Sequence, residues 1–181
     1  MALELFAERG YEAVTVNEIA EAAEVAKATL FKYFPTKESL VLQGVAGDDL
    51  AAAVSGRPAG QPIVEALRAH FLALAAAASD PSPIDTLRRV QIIMASPALR
   101  ERATALHYQQ RLALGAALAR QFPEPTASLL AAQISAVVQT LQERYIFSGS
   151  PVAQRGDHLR HEIEVALALL HPALAYAEGT N

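Results

Sequence analysis

The segment from residue 15 to residue 40 constrains the fold most, because it holds two very short helical patterns joined by a turn. Thr15 and Glu18 have the spacing of a capping box, which predicts a helix beginning at residue 16. A second pattern starts near Lys27 and must end at Pro35, since proline removes a backbone donor and restricts the residue before it. A longer helical pattern follows these two short ones.

The same segment contains every lysine of the chain, Lys27, Lys32 and Lys37, whereas the other cations are arginines. The net charge is −4, which by itself argues against nucleic acid as a partner. From Val25 to Lys37, however, there are three positive charges and no negative one. Because charges are screened over roughly 8 Å at physiological salt, a local cationic face can still meet phosphates. A small cationic helix held by a second short helix is suited to a DNA groove.

The composition predicts an all-α protein. The chain has 181 residues, 52% of them hydrophobic, and its abundant alanine and leucine favour helices. Capping and breaking signals predict about nine helices and no strand, over residues 2–9, 16–23, 27–33, 37–54, 62–78, 84–95, 97–121, 126–147 and 154–177. Cysteine is absent, which excludes disulfides and thiolate sites. We expect no signal peptide or membrane span, and therefore a cytoplasmic protein that does not bind membranes.

Helical spacing assigns two sides to the helix at 27–33. Leu30 and Phe34 are four residues apart and can face inward. Lys27, Ala28, Phe31 and Lys32 then lie towards the other side, although the rings of Tyr11, Phe31 and Phe34 are expected to belong to the core. Thr15, Thr36 and Lys37 lie at helix starts, where phosphates are favoured.

These residues resemble a known family. The stretch ALELFAERGYEAVTVNEIAEAAEVAKATLFKYFPTKESL is similar to the N-terminal module of tetracycline-repressor (TetR) regulators over residues 2–42. The similarity rests on Leu5-Phe6, Gly10-Tyr11, Thr15-Val16, Ile19-Ala20, Ala23, Val25, Thr29-Leu30, Tyr33-Phe34 and Lys37-Glu38. It implies a helix-turn-helix DNA-binding domain at 1–45 and a ligand-binding and dimerisation domain at 46–181.

The resemblance also implies the roles of individual residues. Thr15, Tyr33 and Lys37 would hold phosphates, and Asn17 would reach a base or a phosphate. Lys27, Ala28 and Thr29 would face bases, with Lys27 suited to guanine acceptors, while Lys32 would contact phosphate or a flanking base.

The chain departs from the family pattern at several positions. Glu24 replaces the usual glycine, Ala26 replaces a serine or threonine cap, and Phe31 replaces a common tyrosine. The first helix begins at Met1, where family members have another turn or two and a basic arm. Either this chain is trimmed, its start is displaced, or it lacks that arm.

A ligand pocket is predicted in the third quarter of the chain, because apolar walls with a few polar groups are typical of such sites. Its candidate residues are Phe71, Leu74, Leu87, Gln91, Met94, Tyr108 and Leu112. The alternative is ordinary packing. An apolar or amphipathic molecule is the expected effector. The stretch TLRRVQIIMASPALRERA is weakly similar to regulators of acyl-coenzyme A, which adds an anionic head group as a hypothesis.

Apolar stripes on the last two helices predict a homodimer with a four-helix interface, as the family resemblance also implies. The candidate interface residues are Leu130, Ile134, Val137, Leu141, Leu159, Ile163, Leu167 and Leu170. The alternative is that both stripes pack only on their own subunit.

The sequence therefore favours a ligand-responsive DNA-binding regulator, most simply a repressor on a near-palindromic operator. One rival is a helical-bundle enzyme, but the chain has no HExxH, GxSxG or phosphate-binding glycine loop. Another rival is an adaptor that binds only protein, which leaves the three lysines unexplained. His158 and His161 share a helical face but lack nearby ligand spacing, so we expect no metal, no cofactor and no catalytic residue.

Overall fold

The computed structural model describes residues 1–42, 50–77, 83–147 and 152–179, and these form ten helices and no strand. The helices are α1 Ala2–Arg9, α2 Val16–Ala22, α3 Lys27–Tyr33, α4 Ser39–Leu42, α5 Leu50–Ser55, α6 Ile63–Ala77, α7 Pro83–Ala95, α8 Pro97–Leu118, α9 Thr126–Phe147 and α10 Val152–Gly179. The all-α prediction is confirmed. The count differs from nine because the helix predicted at 37–54 corresponds to α4 and α5, and residues 43–49 between them lie outside the described part.

The helix ends follow local chemistry. Gly10 ends α1 at a φ of 85°, a left-handed conformation that favours glycine. The Thr36 hydroxyl accepts the amide of Ser39 at 3.2 Å and so caps α4, as predicted. The Ser96 hydroxyl accepts the Leu99 amide at 3.3 Å and so caps α8.

The chain forms two compact units, residues 1–47 with 82–106, and residues 48–81 with 107–181. In the first unit, α7 packs on α1 and α4 around Phe6, Val14, Ile19 and Ile92. This unit extends beyond the boundary predicted at residue 45, because residues 82–106 return to complete its core. The functional division into a DNA-binding and a ligand-binding domain remains a prediction.

The second unit is built around α6, α9 and α10. α10 packs on both α6 and α9, and its core includes Ile63, Leu67, Leu114 and Ile134. The Glu178 carboxylate of α10 accepts the amide of Ile63 at 2.9 Å, which satisfies a donor at the start of α6. None of the described helices is long and apolar enough to cross a membrane.

Candidate nucleic-acid interface

The start of α2 has the predicted capping box. The Thr15 amide donates to the Glu18 carboxylate at 2.7 Å, and the Glu18 amide donates to the Thr15 hydroxyl oxygen at 3.3 Å. The backbone hydrogen bond from Thr15 is the main reason that the pKa of Glu18 falls to about 2. Arg9 of α1 lies 2.7 Å from the same carboxylate and joins α1 to α2.

The turn between α2 and α3 depends on a strained residue. The Val25 amide donates to the Ala20 carbonyl and the Glu24 amide donates to the Glu21 carbonyl, both at 3.0 Å. This pair of bonds is the Schellman pattern, which requires a left-handed residue after the helix. Glu24 occupies that position with a φ of 54°. The departure from the family's glycine therefore falls where glycine is conformationally favoured.

α3 has one buried side and one exposed side. Leu30 is 8% exposed, and Phe34 is partly buried against the core of the first unit, as the spacing predicted. We call the opposite side, formed by Lys27, Ala28, Phe31 and Lys32, the cationic side of α3. All four residues are exposed. Ala26 precedes α3 without a side-chain cap, as expected for alanine. The first unit thus buries only the inner side of this helix.

Two lysines on α3 lie over aromatic rings. The Lys27 ammonium is 5.8 Å from the centre of the Phe31 ring, and the Lys32 ammonium is 5.9 Å from that of Tyr33. Such contacts are weakly favourable at exposed sites and limit the freedom of the lysine chains. Tyr33 is itself 66% exposed. The cations of α3 are therefore held at the surface.

Lys37 differs from the other two lysines. Its ammonium donates to the Tyr11 carbonyl and, at 3.5 Å, to the Glu12 carbonyl, and it lies 4.3 Å from the centre of the Tyr11 ring. The side chain is partly buried. An ammonium has three donors, so Lys37 first holds the loop between α1 and α2 and retains one donor for another partner.

Seven of the predicted DNA-contacting residues are exposed, and the eighth, Lys37, is the partly buried one. The exposed residues are Thr15, Asn17, Lys27, Ala28, Thr29, Lys32 and Tyr33. The Thr15 hydroxyl already donates to Glu18 at 2.7 Å. The prediction that the Phe31 ring belongs to the core is wrong, because it is 37% exposed, whereas Tyr11 is 7% exposed and core. Burial raises the pKa of Tyr11 to about 12.

A polar contact fixes the junction of α7 and α8 within the first unit. The Ser96 hydroxyl is buried and donates to the Glu12 carboxylate at 2.6 Å. This hydrogen bond is the main reason that the pKa of Glu12 is lowered. Glu12 follows Tyr11 in the loop that Lys37 also holds, so this loop is fastened from two sides. The sequence offered no signal for this pairing of residues 84 positions apart.

The predicted ligand-pocket residues do not form one described site. Phe71 is buried in the core of the second unit, while Gln91, Met94 and Tyr108 are exposed. Leu112 lines a cavity of about 370 Å³ between α8 and α9, with Arg111, Gly115 and Ser128 among its neighbours. The side chains of Leu74 and Leu87 lie outside the described part. For Phe71, the alternative of ordinary packing describes what is observed.

The predicted dimer residues belong to the core of their own chain. Buried there are Leu130, Ile134, Leu141, Ile163, Leu167 and Leu170, and Val137 and Leu159 pack partly buried against them. Residues already buried in this way cannot supply a free apolar surface. For the six buried residues that part of the prediction is corrected, because the apolar positions of α9 and α10 that face α6 and each other fill the subunit interior. Val137 and Leu159 are only partly buried, and Val137 lines the cavity described next.

A different set of apolar side chains is exposed on α9 and α10. We call them the outer stripe: Leu129 is 60% exposed, Val165 48%, Leu169 76% and Tyr176 75%. A cavity of about 720 Å³ opens between the two helices, with Ala136, Val165 and Leu169 in its walls. At its polar end Arg144 lies 2.5 Å from Glu162, a contact that lowers the pKa of this largely buried carboxyl.

Among the residues that the structure describes, no three histidine or carboxylate side chains are arranged to hold a metal ion. The charged side chains near α2 and α3 instead form caps, ion pairs and an exposed cationic side. This arrangement can bind a polyanion by charge and can contact base edges by shape.

Comparisons with known proteins agree with this geometry. Residues 1–43 match the family described as "Bacterial regulatory proteins, tetR family". The transcriptional regulator TcmR of Streptomyces glaucescens is 44% identical over 75 residues, which are 40% of this chain and 33% of TcmR. The transcriptional repressor KstR2 of Rhodococcus jostii is 46% identical over 52 residues, 28% of this chain and 26% of KstR2. The chain thus spans about a third of TcmR and a quarter of KstR2.

The whole fold has a counterpart among solved structures. A TetR-family regulator from Streptomyces coelicolor A3 superposes with a TM-score of 0.56 at 22% identity, covering 94% of this chain and 90% of that chain. At this identity the likeness shows the fold alone. The proteins that resemble this chain are transcriptional regulators rather than enzymes.

Proposed function

We propose that this chain, a member of the tetR family of bacterial regulatory proteins by its residues 1–43, binds double-stranded DNA and represses transcription. One observation carries the proposal. α3 buries Leu30 and exposes Lys27 and Lys32, and no carboxylate occurs between Val25 and Lys37. A helix of this kind can lie in a major groove while its partner helix crosses the backbone. A regulator of bacterial genes works in the cytoplasm, where we place this protein.

The proposed contacts divide by chemistry. Lys27, Ala28 and Thr29 face base edges, and an ammonium can bridge the O6 and N7 acceptors of guanine. Asn17 and Lys32 meet a base or the flanking phosphates. Thr15, Tyr33 and Lys37 contact phosphates, which position the module without specifying sequence. Two donors of Lys37 already hold the loop between α1 and α2, so its proposed phosphate contact uses the remaining donor.

We further propose that the chain acts as a homodimer whose subunits meet through the outer stripe. Leu169 and Tyr176 are each about three-quarters exposed on one helix. Fully burying such side chains contributes about 1.5–3 kcal/mol each, and exposed apolar patches of this kind are typical of association sites. A dimer would place two copies of α3 in major grooves about 34 Å apart on a near-palindromic site.

Control by a small molecule is the third part of the proposal. The cavity of about 370 Å³ between α8 and α9 is of the size that small ligands use. An apolar or amphipathic effector, with acyl-coenzyme A as one hypothesis, would release DNA only if it bound the two states with different affinity. Operator DNA must then weaken effector binding by the same factor.

An electrophoretic shift assay with DNA flanking the protein's own gene tests the proposal. We expect binding at nanomolar protein that survives an excess of duplex with the same base composition in scrambled order. An enzyme or a protein-binding adaptor would leave both duplexes unshifted. Equal shifts with the two duplexes would restrict the chain to non-specific binding and contradict its role as a repressor.

A further inference from the structure

The exposure of Phe31 has no explanation in packing. Phe31 is 37% exposed, whereas Leu30 and Phe34 of the same segment face the core. A phenyl group on the cationic side of a short helix gains nothing from water. It also lacks the hydroxyl that tyrosine would direct at a phosphate. Phe31 is therefore suited to contact an apolar group that lies next to phosphates.

The surroundings of Phe31 restrict what that partner can be. Lys27 lies one helical turn before it, with its ammonium 5.8 Å from the ring centre. Ala28, also exposed, leaves space beside the ring because its side chain is a single methyl group. The ring and this methyl group make a small apolar patch between Lys27 and Lys32. In the major groove, the one apolar group on a base edge is the 5-methyl group of thymine.

We propose that Phe31 is a specificity-determining residue that contacts a thymine methyl group in the major groove. The inference rests on the proposed DNA binding. Four residues of α-helix span about 6 Å, and base pairs are stacked about 3.4 Å apart. The thymine should therefore lie about one or two base pairs from the guanine that Lys27 contacts. Phe31 also holds the Lys27 ammonium, so one ring serves two neighbouring contacts.

The test uses a chemical change that removes only the methyl group. A duplex that binds the full chain tightly is first selected from a random-sequence pool. Each thymine is then replaced in turn by deoxyuridine, which pairs identically but lacks the 5-methyl group. Because losing one buried methyl-sized group weakens binding about fourfold, we expect such a loss at one thymine near the guanine. Phe31→Ala should bind the thymine and deoxyuridine duplexes equally.

Two further variants separate this role from a structural one. Phe31→Leu keeps an apolar side chain and should keep a measurable preference for thymine over deoxyuridine. Tyr33→Ala removes the other exposed aromatic of α3, so it should weaken both duplexes by the same factor. Circular dichroism checks that each variant keeps the parent's helicity.

Three results would overturn the proposal. One is a parent protein whose affinity for the duplex does not change when any thymine is replaced by deoxyuridine. Another is a fourfold loss of affinity on deoxyuridine replacement that is as large in Phe31→Ala as in the parent, since the methyl group would then be contacted by another residue. If no duplex from the pool bound at all, the proposed function would fail together with this inference, whereas the first two results leave DNA binding intact.

Discussion

At the scale of single residues, Glu24 is the position where the chain departs most clearly from local preference. A residue with a side chain pays roughly 1–2 kcal/mol in the left-handed region. Replacement by glycine removes this strain but adds about 0.4–1 kcal/mol of unfolded-state entropy. We therefore expect Glu24→Gly to raise the free energy of unfolding by about 0.5–1 kcal/mol, measured by urea denaturation. Glu24→Ala keeps the strain and is the matched control; a gain equal to that of glycine would contradict the argument.

A second prediction concerns Glu18 and the free energy of unfolding in acid. Its folded pKa, about 2, lies below the ordinary glutamate pKa of 4.5. Its contribution is therefore complete above about pH 4.5 and is lost as the pH falls towards 2. Glu18→Gln should flatten the fall in unfolding free energy over this window, measured at pH 5, 4 and 3. Glu21→Gln, an exposed change on the same helix, should leave the slope near that of the parent. Equal slopes in parent and Glu18→Gln would remove the capping box as the cause.

The contacts and exposure of single side chains were predicted from the sequence with uneven success. The capping box was readable because Thr15 and Glu18 are neighbours along the chain, and the bonds follow from local geometry. The exposure of Phe31 was missed, since an aromatic ring was expected to be buried although its helical position pointed outward. The contacts by which Lys37 holds the loop between α1 and α2 could not be predicted from the sequence. Its partners, Tyr11 and Glu12, are more than twenty positions away, and the ammonium was equally suited to phosphate.

At the scale of elements, the helix boundaries were predicted well, but the side of each helix that faces the core was not. Boundaries depend on caps and breakers such as Gly10 and Pro35, which act within a few residues. The sides of α9 and α10 were misassigned because both helices are apolar over much of their circumference. Leu167 is core and Leu169 is exposed, yet both lie in the same apolar run. Periodicity alone does not distinguish the exposed outer stripe from the stripe that faces α6.

This difference yields a paired prediction. Leu169→Glu changes an exposed residue, so helicity should persist while sedimentation shows a shift from dimer to monomer. Leu167→Glu would bury an unpaired charge, at a cost of several kcal/mol, and should unfold the second unit. His171→Glu, exposed on a side of α10 away from the outer stripe, is the control and should stay dimeric. A Leu169→Glu protein that sediments with the parent would exclude the outer stripe as the interface, and a monomeric parent would exclude the dimer.

At the scale of the whole molecule, the division into units was not readable from the sequence. Residues 82–106 complete the core of the first unit through Ile92, Ile93 and Leu99. No local signal marks a return over so many intervening residues, because pairing at long separation depends on tertiary packing. The Ser96–Glu12 hydrogen bond belongs to the same return. The cationic side of α3, by contrast, was predicted because charge spacing and helix period are both local.

The salt dependence of DNA binding tests the central claim, that the exposed lysines of α3 bind DNA, most directly. The affinity for DNA flanking the gene is measured over a range of salt for the parent and for the double variant Lys27→Ala/Lys32→Ala. Each phosphate contact contributes about 0.9 to the slope of log affinity against log salt. We predict a linear fall for the parent and, for the variant, a weaker affinity with a slope smaller by about one, because only Lys32 of this pair is proposed to reach a phosphate. Parallel lines, or no binding by the parent, would contradict the claim.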